Sequence, residues 1–143
     1  MRHVSRQKKR VKSHNKTLPF DASKINAAIL SYAHLDHCGT LPILVKNGFN
    51  GKIYCTKAIA EIAKFILLDS ADIQVHDAKY FNKHINNESE KIIPIYTKKD
   101  VEKTLSRFEP TEYFRISSQW TNLNENIRLK FQPSASRQRY KAI

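Results

Sequence analysis

Residues 57–67 carry the pattern that most constrains the fold. Ile59, Ile62, Ala63, Ile66 and Leu67 recur at spacings of three and four, with Lys57, Glu61 and Lys64 set between them. Such a series lies on one stripe of an α-helix and needs another apolar surface to cover it. Short apolar runs upstream can supply that surface. Residues 25–30 (Ile-Asn-Ala-Ala-Ile-Leu) have the length and composition of a strand in a sheet buried on both faces. Ile53 and Tyr54 mark a second strand over residues 52–55, after a Gly-containing turn at 47–51. Between the two strands, Leu41, Leu44 and Val45 form a small helical face over 40–46, with Pro42 in the first turn and Gly48 as a stop. Strands alternating with helices in this way describe an α/β fold.

Leu18-Pro19-Phe20-Asp21 ahead of these elements reads as a turn. Downstream, helical character continues or restarts over residues 70–83, where Ala71, Ile73, Val75, Ala78, Tyr80 and Phe81 give a broader stripe. Residues 86–91 are polar and loop-like, and 92–96 form a short extended piece around Pro94. Thr97, with Asp100 three residues later, is an N-cap signal. The helix it opens carries Val101, Leu105 and Phe108 until Pro110 ends it. Residues 113–116 and 127–131 have the character of late strands, the second alternating Ile127, Leu129 and Phe131 with Arg128 and Lys130. Neither an internal repeat nor an interdomain linker interrupts the series.

The net charge of +12 is concentrated at the two ends. Residues 1–16 hold seven Lys and Arg side chains and 128–143 hold five, with no acid in either, whereas the stretch between them balances 13 basic against 13 acidic residues. Basic ends of this kind add salt-dependent affinity for RNA or DNA without reading bases. The sequence is accordingly divided into a basic, flexible segment at 1–16, a folded domain at 17–131 and a basic tail at 132–143. No apolar run is long enough to span a membrane, and the basic first residues have no apolar region behind them. A cytoplasmic protein is expected, with Cys38 and Cys55 as reduced thiols rather than a disulfide.

Chemistry is concentrated directly after the first strand, in Ser31-Tyr32-Ala33-His34-Leu35-Asp36-His37-Cys38-Gly39. Two imidazoles and a carboxylate within four residues are a compact source of ligands for zinc or a similar cation. A loop at the end of a strand is also where ligands gather in open α/β sheets. Gly39 lets the backbone turn closely beneath such a cluster. The same residue types also suit a solvated surface loop, because coordination requires further donors from elsewhere in the fold. His76 and His84, eight residues apart, offer two more imidazoles but read as surface residues.

The run Tyr32-Ala33-His34-Leu35-Asp36-His37-Cys38-Gly39-Thr40-Leu41-Pro42, followed by Gly51-Lys52-Ile53-Tyr54-Cys55-Thr56 and a long amphipathic helix, resembles the metallo-β-lactamase superfamily. More narrowly it resembles the β-CASP branch of RNA-processing nucleases, whose loop reads His-x-His-x-Asp-His. The likeness is most specific over residues 19–70, including Leu67-Leu68-Asp69-Ser70, and looser to Phe131 through Tyr96-Thr97, residues 100–105 and Phe108-Glu109-Pro110. It implies a partial αββα sandwich with a mixed sheet and flanking helices. It also implies zinc as cofactor, with His34 helping to hold one Zn2+, Asp36 and His37 holding the second, and Asp36 and His37 as the candidate catalytic residues. In that family the metals activate water against an RNA phosphodiester.

Departures from the pattern bear on the metals. Tyr32 stands where the family has its first histidine. After Phe131-Gln132-Pro133 the family has Gly-His, whereas this sequence reads Ser134-Ala135-Ser136-Arg137, and no histidine follows His84. A later bridging aspartate, a last histidine and the β-CASP cap lie beyond the family match, as do the sandwich's opening strands. A catalytic zinc generally takes three protein ligands, and neither metal reaches three from the matched residues. The expectation is therefore a metallo-hydrolase relative of RNA-phosphodiester type, weakly active or inactive as this chain. The competing expectation is a non-catalytic remnant or interaction module whose basic tails bind nucleic acid. Open sheet edges in such a partial sandwich lead us to expect self-association or a partner chain.

Overall fold

The computed structural model describes residues 18–83, 91–111, 120–123 and 125–129. The basic segment 1–16, His84, the loop residues 86–90, the strand expected at 113–116 and everything from Lys130 onward lie outside them.

Three parallel strands form the sheet: β1 (Ala27–Ile29), β2 (Lys52–Thr56) and β3 (Phe108–Thr111), in the spatial order β1-β2-β3. Two short helices, α1 (Leu35–Cys38) and α2 (Leu41–Lys46), connect β1 to β2. The long α3 (Lys57–Asn82) and the two-turn α4 (Lys98–Leu105) connect β2 to β3. A separate antiparallel pair joins β4 (Thr121–Asn122), where no strand was expected, to β5 (Arg128–Leu129), which lies inside the strand expected at 127–131. The architecture is thus α/β, a parallel sheet with flanking helices, and among the described residues antiparallel pairing is confined to the small ribbon.

The register explains which residues are covered. Ala28 stands beside Ile53, and Ile29 beside Tyr54. Ile53 and Cys55, two residues apart on the central strand, are fully buried, whereas Tyr54 between them is half-buried and Ile29 is exposed. One sheet face therefore carries the core among the described residues, which corrects the expectation of a strand at 25–30 buried on both faces. The helices cover that face: α3 packs on β2 and β3, α4 packs on α2 and α3, and α1 rests against α3. Phe49, Leu67, Val101 and Thr104 complete the interior. Thr104 satisfies its hydroxyl by donating to the Asp100 carbonyl at 2.7 Å, as a buried hydroxyl in a helix must.

Helix α3 is continuous over 26 residues rather than restarting near Ser70. Nothing between Lys57 and Asn82 breaks it, since the segment holds neither glycine nor proline. Its buried residues are Ala63, Leu67, Ala71 and Ala78. Ile62, expected on that stripe, is half-exposed at its rim. Thr56 caps the N-terminus, its hydroxyl accepting from the Ile59 amide at 3.3 Å.

The end of α2 follows the Gly48 stop signal. Gly48 has φ of 105°, the Phe49 amide donates to the Leu44 carbonyl at 3.2 Å, and the Gly48 amide donates to Val45 at 3.1 Å. This is the Schellman closure, with Phe49 buried and packed with the half-buried Leu44 in the core.

One element departs from expectation. The apolar spacing of α4 continues through Phe108, but the helix stops at Leu105 and Phe108 begins β3. The Ile53 amide donates to the Arg107 carbonyl at 2.8 Å, so pairing with the central strand captures this segment. Pro110 is tolerated because β3 is the sheet's edge among the described residues, where a missing N–H need not interrupt a ladder. Lys52 joins Glu109 across the two strands at 2.8 Å. The piece at 92–96 enters no strand. It is held instead by side chains of α3, with the Ile92 amide donating to Asn82 at 2.8 Å and the Ile95 amide to Gln74 at 3.0 Å.

Candidate functional site

Strand β1 is followed by the buried Leu30, whose amide donates to the Tyr54 carbonyl at 2.8 Å, and the chain then enters the His34–His37 segment. The loop is organised by two inward residues. Ala33 and Cys38 are both buried, and the Cys38 thiol donates to the Ala33 carbonyl with sulfur and oxygen 3.2 Å apart. His34 is the N-cap of α1 with extended backbone, and its carbonyl accepts from the amides of His37 and Cys38, each at 2.9 Å. With Ala33 and Cys38 directed inward, His34, Leu35, Asp36 and His37 are left on the outside. The His34–His37 segment is therefore a turn of helix rather than an open loop.

Gly39 closes that turn. A Cβ there would overlap the Leu35 carbonyl, so the glycine serves the close return of the chain after α1.

The side chains that the sequence singled out do come near one another. Asp36 Oδ2 lies 3.4 Å from His37 Nε2, both well exposed. Tyr32 contacts both imidazoles, its ring centroid 4.3 Å from that of His34 in a tilted arrangement and 5.4 Å from that of His37 edge to face. Sequence reasoning identified Tyr32 as a replaced ligand, but gave no signal that its ring would pack on the two histidines it stands beside.

Among the described residues, no group of three or more His, Cys, Asp or Glu side chains is placed to hold a metal ion. Cys38, adjacent in sequence, does not extend the donor set. Burial pushes its thiol above the ordinary range, against the effect of its backbone hydrogen bond and reinforced by the nearby Asp36 charge. A thiol held neutral and hydrogen-bonded inward is a poor metal ligand. His76 lies exposed on α3 and belongs to no such group. The described residues therefore do not fit a catalytic zinc, which needs three protein donors and an open position. No helix of the described residues is long and apolar enough to cross a membrane.

No protein-family model matches the chain. Individual relatives do. It is 35% identical over 79 residues to a transcription termination factor, FttA, of Methanococcus maripaludis, a match covering 53% of this chain and 12% of the relative. It is 32% identical over 94 residues to ribonuclease TTHA0252 of Thermus thermophilus, covering 66% of this chain and 18% of that protein. It is 30% identical over 95 residues to endoribonuclease ysh-1 of Neurospora crassa, covering 66% of this chain and 10% of the relative. The chain thus spans less than a fifth of the length of each of these curated relatives. Over the matched segments, the chain resembles fragments of these proteins, in keeping with its likeness to the β-CASP branch of the metallo-β-lactamase superfamily.

Proposed function

We propose that the chain is an RNA-directed relative of β-CASP metallo-hydrolases whose phosphodiester hydrolysis, as this chain, is weak or absent. The observation that carries this reading is the placement of His34, Asp36 and His37 on one exposed turn at the carboxyl end of β1, without a third donor converging on either histidine among the described residues. The carboxyl ends of parallel strands are where α/β sheets present their ligand sites. The names of the relatives, ribonuclease and endoribonuclease, support RNA as the substrate class.

In this reading His34 keeps the residue type of one Zn2+ position and Asp36 with His37 that of the second. Asp36 and His37 remain the pair to which catalysis would be assigned once further donors were supplied. Affinity for RNA comes from the basic residues at 1–16 and 128–143 rather than from the nearly neutral body. The cytoplasm, where RNA processing partners are at hand, is the compartment this reading assigns.

Fluorescence anisotropy with a labelled single-stranded RNA, alongside a cleavage assay with and without Zn2+, tests the proposal. Expected is binding that weakens steeply as salt is raised, with little or no metal-dependent cleavage. Absence of binding at low salt refutes the RNA assignment. Zn2+-dependent cleavage at a rate typical of an enzyme, abolished by His37→Ala, refutes the assignment of weak or absent hydrolysis.

The competing reading, a non-catalytic module that binds nucleic acid through its ends, rests on the charge distribution. It requires that removing residues 1–16 and 132–143 abolish all RNA binding, whereas contribution from the folded body leaves a residual. Exposed Phe65, Ile73 and Tyr80 on α3 support self-association or a partner chain. A concentration-independent monomer in sedimentation equilibrium speaks against self-association.

A further inference from the structure

We propose that Trp120 and Arg128, on the β4–β5 ribbon and apart from the His34–His37 segment, form a stacking platform for an unpaired base of single-stranded RNA. This deepens the RNA reading and rests on it, since it names the form of RNA and the residues that meet it. The Arg128 guanidinium carbon lies over the Trp120 ring, 5.7 Å from its centre, within the range of a cation–π contact. Thr121 pairs with Leu129 and Asn122 with Arg128. Side chains alternate along the two strands, so Asn122 shares the face of Arg128, and the half-buried Leu129 lies on the other. Tryptophan is highly buried on average in folded proteins, yet Trp120 is 54% exposed. Asn122 and Arg128 are exposed as well. An aromatic ring, a cation and an amide are thereby gathered at one solvent-facing place on the ribbon.

Charge selects the occupant. Between residues 113 and 143 the sequence holds six Lys and Arg side chains and a single acid, Glu125. Arg128 begins the acid-free basic stretch, so a polyanion drawn to that stretch is delivered beside the indole. Every nucleotide base presents a flat π-face that can stack on such a ring, and cations next to it suit the phosphates on either side of the base. The base must be unpaired. In a duplex the base faces are already stacked on one another, and a basic surface is left with shape and phosphate contacts. An acidic peptide answers the charge but sets no flat ring against the indole.

Trp120 is the sole tryptophan of the sequence, so the intrinsic fluorescence of the full chain reports on this place alone. The probe is an oligouridylate of about twelve nucleotides, titrated with emission and anisotropy followed in parallel. Expected is saturable quenching of Trp120 with the same midpoint as the anisotropy change, and binding of a duplex RNA of equal length without that quenching. Trp120→Ala should bind the single strand at least about fivefold more weakly. Trp120→Phe, which keeps a ring, should recover part of the loss, and both variants should keep the salt dependence of the unaltered chain. If the strand binds but leaves Trp120 emission unchanged, or if Trp120→Ala binds as tightly as the unaltered chain, the platform is refuted while the RNA reading stands. Heparin that quenches as strongly as RNA traces the signal to charge alone and also overturns it. A blue shift of Trp120 emission with rising protein concentration, and no response to RNA, makes the ring a contact between copies instead. Absence of any anisotropy change at low salt refutes the RNA reading, and the platform falls with it.

Discussion

The hydroxyls of Ser70 and Tyr96 meet at 2.8 Å, tying the middle of α3 to the segment that enters α4. Gln74 joins the same network through its amide, which donates to the Ser70 hydroxyl at 3.3 Å. Tyr96 is buried, so its ring contributes packing and its hydroxyl needs a partner. Tyr96→Phe leaves Ser70 with Gln74 as a remaining partner and is expected to cost about 1 kcal/mol. Tyr96→Ala also empties a buried aromatic site and is expected to cost about 3–5 kcal/mol. Urea unfolding of the two variants checks both the size and the order of these effects.

The N-terminus of α4 depends on a reciprocal pair. The Thr97 amide and hydroxyl donate to Asp100 Oδ2 at 2.8 and 2.9 Å, while Thr97 caps the helix in return. Thr97→Ala should destabilise by about 1 kcal/mol. Desolvation acts to raise the Asp100 pKa, but the Thr97 hydrogen bonds and the charges of Lys46 and Lys103 outweigh it and leave the carboxyl below its ordinary 3.8. A depressed folded pKa contributes stability that is present above the unfolded value and lost as pH falls through the folded one. The stability deficit of Asp100→Ala, clear at neutral pH, should therefore shrink in acid.

Both thiols are shielded by the fold. Burial pushes Cys55 up from 9.0 to about 11, and it also raises Cys38. Native protein at pH 8 should react slowly with iodoacetamide, and urea-unfolded protein rapidly. Because the folded state keeps the Cys55 proton to higher pH than the unfolded chain, stability is whole below about pH 9 and declines toward 11. The loss from this group is of order 2 kcal/mol. Tyr96 acts in the same direction, since burial raises it against its hydrogen bonds to Ser70 and Gln74. Thermal melts between pH 8 and 11 that show no decline contradict the assignment.

Gly51, just ahead of β2, packs tightly against the backbone of Asn26, just ahead of β1. A Cβ there would collide with the Asn26 carbonyl, which is backbone and has little freedom to yield. Gly51→Ala should cost about 2 kcal/mol or more by prising the parallel pair apart. Gly48→Ala meets no close neighbour but must adopt φ of 105°, and about 1 kcal/mol is expected from that strain alone. Chemical denaturation of both variants separates a collision from a conformational penalty.

The helices were legible because periodicity and capping chemistry are local. Ile59, Ala63 and Leu67 announced α3, Thr97 with Asp100 announced α4, and Gly48 gave the end of α2 within the sequence itself. Strand β3 was not legible. Phe108 continues a helical spacing, and only its pairing with Ile53, distant in the chain, draws it into the sheet. The candidate site was legible in its residue types, since His34, Asp36 and His37 stand together in four positions. Its helical backbone and the ring of Tyr32 across it depend on Ala33 and Cys38 turning inward, a packing preference that spacing alone does not encode.

The parallel pairing of β2 with β3 also governs how the chain reaches this fold. Ile53 and its partner Phe108 are separated in the chain by α3 and α4. Helices form in about a microsecond, whereas distant parallel pairing must first overcome the entropy of closing a long loop. Refolding should therefore show helical signal developing ahead of sheet closure, with the docking of residues 108–111 setting the final rate. Until that step is complete, the central strand presents a free edge, and the nascent chain passes through a window in which a second molecule can compete for the place of its own third strand.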